Sequence, residues 1–294
     1  MNTLYDMVFM GHYTKDTIVS SAGTRIVNGG AFSYGAHVAA RMGLKTAAVT
    51  RLAEEDYGVV RDLESLGVDV MARVTPASTC LRLEYPSDDP DQRIIRVSSE
   101  AGAFTPEEVK TVDAKCFVLG ASIRGEIGRE VIRELAAKRR RIAVDVQGFI
   151  RVVREGRLAN EEWTEAAGVL CMVDVLKTDM VEAESLTGAA EIHTAARRLS
   201  GYGPREIVIT HRDGVLVFAE GEFYEAGFYP ERMVGRSGRG DTCIASYMAR
   251  RLSSPPGEAT VWAAAVTSLK MEAEGPFRRE IGEVEELIRR KYRG

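Results

Sequence analysis

Short apolar runs alternate with helix-length segments along most of this 294-residue chain, and that rhythm constrains the fold more than any other feature. Residues 4–11, 45–52, 115–119, 141–146, 173–177 and 206–210 read as buried strands. Segments 31–42, 56–66, 126–139, 179–186, 191–199, 241–252, 257–273 and 283–292 carry helical spacing. A further helix start lies at Thr105-Pro106-Glu107-Glu108, and Gly43, Gly67 and Gly188 stop the helices before them. Strands that alternate with helices imply a mostly parallel sheet covered on both faces, a three-layer αβα fold. Residues 215–218 and 222–226 read as antiparallel edge strands. One stretch breaks the rhythm: residues 68–97 alternate apolar and polar side chains around Pro86-Ser87-Asp88-Asp89-Pro90-Asp91. It reads as a β-hairpin leaving the main fold.

Charge and cysteine content narrow the function. The 39 basic residues fall short of the 43 acidic ones, so there is no basic excess to neutralise nucleic-acid phosphates. Cys80, Cys116, Cys171 and Cys243 lie far apart with no CxxC pair, which argues against a zinc site or a disulfide framework and for a reduced, cytoplasmic protein. The first residues lack the basic and apolar regions of a signal peptide, and no apolar run reaches the roughly 20 residues that span a bilayer. The expected partners are small molecules, with neither nucleic acid nor membrane among them.

The sharpest local feature is Gly235-Arg236-Ser237-Gly238-Arg239-Gly240-Asp241-Thr242 at the start of a helix. Glycines there uncover backbone N–H groups at the positive end of a helix dipole, an arrangement that can hold a phosphate or a developing anion. Asp241 beside it can accept a proton from a hydroxyl, or merely cap the helix. Gly29-Gly30 precedes a small-residue helix, which suits either a turn or close approach of the backbone to a ligand. Asp179 and Glu182, three residues apart, can orient a magnesium-bound water or serve only the helix dipole. Asp16 follows the first strand, where a carboxylate can bind neighbouring hydroxyls or simply stand in a surface loop. The four histidines are scattered without metal-ligand spacing and read as structural. There is no Walker A motif and no GxGxxG fingerprint.

In their order, Asp16, Gly29-Gly30, the hairpin, Lys177-Thr178-Asp179-Met180-Val181-Glu182 and Gly238-Arg239-Gly240-Asp241 make the whole chain resemble the ribokinase-like (PfkB) small-molecule kinases. The resemblance implies a sheet core with a small β lid and transfer of the γ-phosphoryl group of ATP, with Mg2+, to a hydroxyl. Core residues would be 1–11, 28–67 and 98–294, and lid residues 12–27 and 68–97. Asp241 would match the catalytic base, and Gly238, Arg239 and Gly240 the anion hole. Asp16, Gly29, Gly30, Gln147 and Arg151 would bind the substrate. Lys177, Thr210, Gly214, Ala264 and Ser268 would lie at the nucleotide, and Asp179 and Glu182 at the metal. Asp179 replaces the usual Asn of the family's NxxE motif, Arg239 the middle Ala of its GAGD, and Tyr34 the Asn that often follows the double glycine. The Gly11, Tyr13, Asp16 start, the GRGD segment, the Asp145, Gln147, Arg151 set and Lys270-Met271 resemble an inositol 3-kinase subgroup. The expected substrate is therefore myo-inositol or a similar polyol, with a homodimer through the lid. A nucleoside kinase on the same scaffold and a catalytically silent sugar sensor are the alternatives.

Overall fold

The computed structural model describes residues 3–21, 23–85 and 94–292. β1 (Leu4–Met10) leads into a hairpin, β2 (Thr14–Ser20) and β3 (Gly23–Gly29). The chain returns through α1 (Ala31–Arg41), β4 (Thr46–Leu52), α2 (Gly58–Glu64) and β5 (Asp69–Val74). A second excursion, β6 (Thr79–Glu84) and β7 (Ile94–Ser99), precedes β8 (Asp113–Leu119), α3 (Arg129–Ala137) and β9 (Arg141–Asp145). The one-turn α4 (Gln147–Ile150) opens a third hairpin, β10 (Arg151–Arg154) and β11 (Arg157–Asn160). Then come α5 (Ala166–Leu170), β12 (Val175–Asp179), α6 (Met180–Thr187), α7 (Ile192–Ser200), β13 (Glu206–Thr210), β14 (Gly214–Ala219) and β15 (Glu222–Gly227). Three helices close the chain: α8 (Arg239–Arg251), α9 (Pro256–Met271) and α10 (Ile281–Lys291).

Among the described residues these strands form two sheets. The larger has nine strands in the order β15-β14-β13-β12-β9-β8-β1-β4-β5. Its pairs are parallel except for those of β14, which runs against β13 and β15. Side chains alternate across it, as strand geometry requires. Met7 and Phe9 join one buried layer with α1, α8 and α9, while Val8 and Met10 join the other with α3 and α7. The three-layer α/β expectation is therefore met. The smaller sheet has six strands, β10-β11-β7-β6-β2-β3, and stands over one edge of the larger.

Local chemistry sets the boundaries. Asp179 caps α6 by accepting the Glu182 N–H at 2.8 Å, Glu182 returns the contact to the Asp179 N–H at 2.9 Å, and Gly188 ends the helix at φ 66°. Thr105 and Glu108 form the same reciprocal cap, but only the single turn Pro106–Glu108 follows, where the sequence suggested a longer helix.

The lid differs from its expected limits in two ways. Asp69–Val74 is a parallel edge strand of the large sheet, pairing Val70 with Ala48, and it packs Val70 and Ala72 on the core. Edge strands and lid strands share a period of two, so the pattern alone did not separate them. The lid also takes in Gly29 at the end of β3 and recruits β10 and β11, which the sequence reading left in the core. The loop 86–91 lies outside the described residues.

One buried carboxylate fastens the strand ends together. Glu126 accepts the His12 N–H at 2.7 Å and the Ser122 N–H at 2.8 Å, joining the residues after β1 to those after β8. His12 spans Thr79 and Gly102 with its two ring nitrogens, which makes it the structural histidine expected. Glu126→Ala leaves two buried N–H donors unpaired and is expected to cost about 2–5 kcal/mol, read as a lowered midpoint in urea unfolding.

Candidate active site

The parallel strands β1, β8, β9, β12 and β13 all end at one edge, the place where open α/β sheets hold ligands. The lid covers that edge with Leu81, Leu83, Ile95 and Leu158, enclosing a cavity of about 810 Å³.

Asp241 lies in the first turn of α8 and lines this cavity. Its neighbours are contributed by strand ends far away in sequence. Lys177 on β12 donates to Asp145 at the end of β9 at 2.8 Å, and both are almost fully buried. A methyl group on Gly240 would lie 2.5 Å from Lys177 Nζ, so the amine rests directly on the start of α8. Burial and the Asp145 charge push the Asp241 carboxyl up to about 6, against the pull of Lys177, Arg151 and Lys270. Lys177 remains charged because Asp145 and Glu182 hold its pKa up against burial.

The glycine loop before α8 is fixed from behind. Gly238 adopts the left-handed conformation at φ 74°, and its bare Cα sits on the Tyr34 ring, where a methyl would approach to 2.2 Å. Lys270 of α9 donates to the carbonyls of Gly235 and Ser237, and its Nζ stands 5.5 Å over the Tyr34 ring. Burial lowers its pKa to about 8. With those carbonyls held by Lys270, the Gly238 to Gly240 segment is left on the cavity wall.

At the other end, Asp16 on β2 lines the cavity, with Gly29 packed beneath it. Gly30 turns at φ 105° and a methyl there would meet His12 O at 2.3 Å, so the position is closed to other residues. Gln147 and Arg151 come in from α4 and β10. Tyr34 is 3% exposed and its hydroxyl has no hydrogen-bond partner among the described residues, although it borders the cavity. An unpaired buried hydroxyl costs about 1–3 kcal/mol, which a bound polar ligand would offset.

Most residues singled out in the sequence meet here. Asp16, Gly30, Gln147, Arg151, Lys177, Asp179, Glu182, Thr210, Gly238, Arg239, Gly240 and Asp241 all line the cavity. Gly29, Gly214, Ala264 and Ser268 do not: Gly29 packs against Thr14 and Asp16, Gly214 is enclosed by β15, and the other two are fully buried on α9. Asp179 and Glu182 spend carboxylate oxygens on their mutual cap, and Glu182 also faces Arg151 at 3.5 Å. No group of three or more His, Cys, Asp or Glu suited to a metal occurs among the described residues. Asp179 and Glu182 are the acids that would hold a magnesium ion here, and with their oxygens shared in the cap they would act on it through its waters, where it would neutralise phosphate charge. Asp145, Tyr34 and Lys270 stood out in the sequence only through the resemblance, and their contacts with Lys177, Gly238 and the glycine loop come from the folded structure.

A proton acceptor, a buried amine and a glycine-rich helix start in one lidded cavity define a small-molecule phosphotransferase. The chain belongs to the pfkB family of carbohydrate kinases, whose pattern matches residues 4–277. It is an enzyme that phosphorylates a hydroxyl of a sugar, polyol or nucleoside. A pyrophosphate-dependent kinase of the ribokinase family, solved with a pyrophosphate analogue and myo-inositol, is 32% identical. That match covers 95% of this chain and 99% of the other, with a TM-score of 0.88. A cytidine kinase from Thermococcus kodakarensis is 28% identical over 256 residues, covering 84% of this chain and 88% of its own. Arabidopsis thaliana ribokinase, solved with ribose and ATP, shares the fold at 19% identity, with a TM-score of 0.76 over 97% of this chain and 99% of its own. No helix among the described residues is long and apolar enough to cross a membrane.

The raised pKa of Asp241 carries a stability consequence. The folded state binds this proton more tightly than the unfolded chain, so the stability from that proton is full below about pH 4 and is lost as pH rises through about 6. Because Asp241 is only half-buried, the neutral-pH cost is discounted to about 1–3 kcal/mol. Asp241→Asn is expected to raise the melting temperature at pH 7.5 and leave it nearly unchanged at pH 4, as followed by thermal unfolding across pH.

Proposed function

We propose that the protein moves a terminal phosphoryl group from a phosphoanhydride donor to one hydroxyl of an uncharged polyol, myo-inositol fitting best. The observation that carries this reading is the position of Asp241, between the amide-lined start of α8 and an acceptor end furnished with Asp16, Gln147 and Tyr34. In the proposed step the substrate oxygen attacks the terminal phosphorus, the bridging P–O bond breaks and the shortened donor leaves. The hydroxyl proton passes to Asp241 Oδ. A base with a pKa near 6 is ionised at neutral pH yet basic enough to assist.

The chain's own groups supply the rest. Lys177 and the Gly238, Arg239 and Gly240 amides face charge that spreads onto the transferring group. Asp16 accepts hydrogen bonds from neighbouring hydroxyls, and Tyr34 gains the partner it lacks. The lid keeps out water, which would compete as acceptor. Mg2+, when bound with the donor, neutralises phosphate charge. ATP is the donor the family resemblance implies, while the neighbour solved with myo-inositol uses pyrophosphate. Exposed Ile26 on β3 is where two lids would meet in a homodimer.

The cytidine kinase relative favours a second reading, a nucleoside acceptor. A base needs a stacking ring, and of Tyr13, Phe32, Tyr34 and Phe149 only Tyr34 lines the cavity. Its ring is already packed by Gly238 and Lys270. Phe149 stacks on Trp163 instead, at 4.6 Å, and Tyr13 donates to Asn28. Tyr85, just past β6, is a second tyrosine on the wall, and the His211 imidazole lines it too.

Turnover over a panel of inositols, pentoses, hexoses and nucleosides tests the assignment, and faster turnover of cytidine than of any polyol would reverse it. Asp241→Asn is expected to lower kcat by about 10² to 10⁴-fold with the protein still folded. Asp16→Ala is expected to raise the polyol KM by about 10 to 100-fold and leave the donor KM little changed. An unchanged polyol KM would remove Asp16 from the site.

A further inference from the structure

Two carbonyls of the glycine loop converge on one buried amine. Lys270 Nζ donates to Gly235 O at 2.9 Å and to Ser237 O, and the residue is only 2% exposed. Its companions on α9, Ala264, Ala265, Val266 and Met271, are apolar and fully buried, so a cation among them needs a reason. The ammonium stands 5.5 Å over the Tyr34 ring of α1, a face that attracts positive charge. Carboxylates act on it only as neighbouring charges: Glu274, just past α9, and Asp241 of α8 favour the charged form. Arg239 of α8 opposes it, and Glu274 is itself paired with Arg25 of β3 at 3.1 Å. Burial outweighs the carboxylates and brings Lys270 down to about 8, within the range of an ordinary assay.

These bonds set direction as well as place. In a trans peptide the N–H points away from the C=O of the same unit, and no peptide among the described residues is cis. With Gly235 O and Ser237 O turned onto Lys270, the N–H groups of Arg236 and Gly238 face the opposite side. Lys270 is not on the cavity wall, whereas Arg236, Ser237 and Gly238 are, so the opposite side is the cavity. The loop is also tied to the next residue of α9, since the Gly235 N–H donates to Met271 O at 3.0 Å. A methyl on Gly235 would lie 2.3 Å from Ala273 O, so loop and helix end meet with no side chain between them.

We propose that Lys270 is a positioning residue for phosphoryl transfer: its ammonium, bonded to Gly235 O and Ser237 O, turns the loop amides towards the transferring group, and transfer fails when that ammonium gives its proton to solvent. This rests on the kinase reading above and adds a residue that never touches substrate. A neutral amine can still donate, but its bonds are about half as strong as charge-assisted ones, and its attraction to the Tyr34 ring is lost. The fold does not suffer with it. Between about 8 and 10.5 the folded chain has shed a proton that the unfolded chain keeps, so stability from this group rises with pH. A lysine with a packing role alone would leave kcat flat over that interval.

The full chain is assayed with Mg2+, with myo-inositol or cytidine as acceptor and saturating ATP or pyrophosphate as donor, across pH. The expected kcat rises through about pH 6 as Asp241 ionises and falls about tenfold or more from about pH 7.5 to about 9.5, with the circular dichroism of the fold unchanged. A flat kcat over that upper range in folded protein would overturn the proposal. Lys270→Met keeps the length and cannot donate. Its kcat is expected about 100-fold lower with the acceptor KM within about threefold, and its residual activity no longer falls above about pH 8. A kcat within about threefold of wild type, or an alkaline fall with the same midpoint, overturns the role of Lys270. Amide exchange at Gly235 and Arg239, whose N–H groups bond to Met271 O and Arg236 O, follows the loop without any substrate. Corrected for the intrinsic rate, wild-type exchange there is expected to speed up about tenfold between the same two pH values, and unchanged exchange overturns the proposal. If neither acceptor is phosphorylated with either donor, the kinase reading fails and the exchange alone decides the role of Lys270. If the Met variant does not fold, the wild-type pH profile and exchange decide it.

Discussion

The buried pair of Lys177 and Asp145 is the interaction on which the rest of the site depends. Two opposite charges held at 2.8 Å and almost out of water carry a large desolvation cost, and removing either partner would leave the other uncompensated. That cost fixes them in place and sets the field for everything nearby. Burial above all, and then Asp145, raise the Asp241 pKa, Lys177 opposes them, and the balance leaves a carboxyl near 6 rather than near 4. Lys177 also lies on Gly240 with no room for a side chain between, so its charge is presented where the amides of α8 begin. Three secondary-structure elements, β9, β12 and α8, are locked in register by one ion pair and one glycine.

A second economy appears at the start of α6. The carboxylates of Asp179 and Glu182 satisfy each other's backbone N–H groups, which every helix start must do somehow. The same two residues form part of the cavity wall beside Thr210, with which Asp179 is paired in register. The structural and functional readings of these acids therefore do not compete. An acid that caps the helix is held rigidly, and a rigid carboxylate would suit the proposed magnesium ion. An Asn in place of Asp179 could also accept the Glu182 N–H, so the charge at this position is free to differ among related sequences without loss of the cap.

The layered fold was legible in the sequence because strands alternate with helices and because Met7, Val8, Phe9 and Met10 are all apolar, so both faces of β1 need a helix layer, as Met7 and Phe9 on one side and Val8 and Met10 on the other then find. The lid boundary was not, since Asp69–Val74 and Thr79–Glu84 show the same period and only pairing with Ala48 or with Lys15 and Asp16 tells them apart. Asp241 and its glycines were legible as a local motif. Asp145 was not legible as the partner of Lys177, because 32 residues separate them and only the adjacency of β9 and β12 brings them together. Ala264 and Ser268 show the converse limit. Their place on a small-residue helix could be read, but not that both are fully buried there, with the Tyr229 N–H from the loop after β15 bonded to Ser268 Oγ.

Tyr34 joins the two halves of the site. Its ring carries Gly238 on one contact and Lys270 at 5.5 Å, so it forms the floor of the anion-binding loop. Its hydroxyl borders the cavity with no partner, under the repulsion of Asp241 and Asp16, which together with burial raise its pKa far above neutrality. The hydroxyl is therefore a neutral donor around neutral pH, and a substrate oxygen would be its natural acceptor. A ligand that engages Tyr34 also restrains the ring beneath Gly238, and with it the amides that face the transferring phosphoryl group. In the proposed reaction, acceptor binding and donor positioning would thus be coupled through one side chain, which would favour transfer to the acceptor over transfer to water entering an otherwise empty cavity.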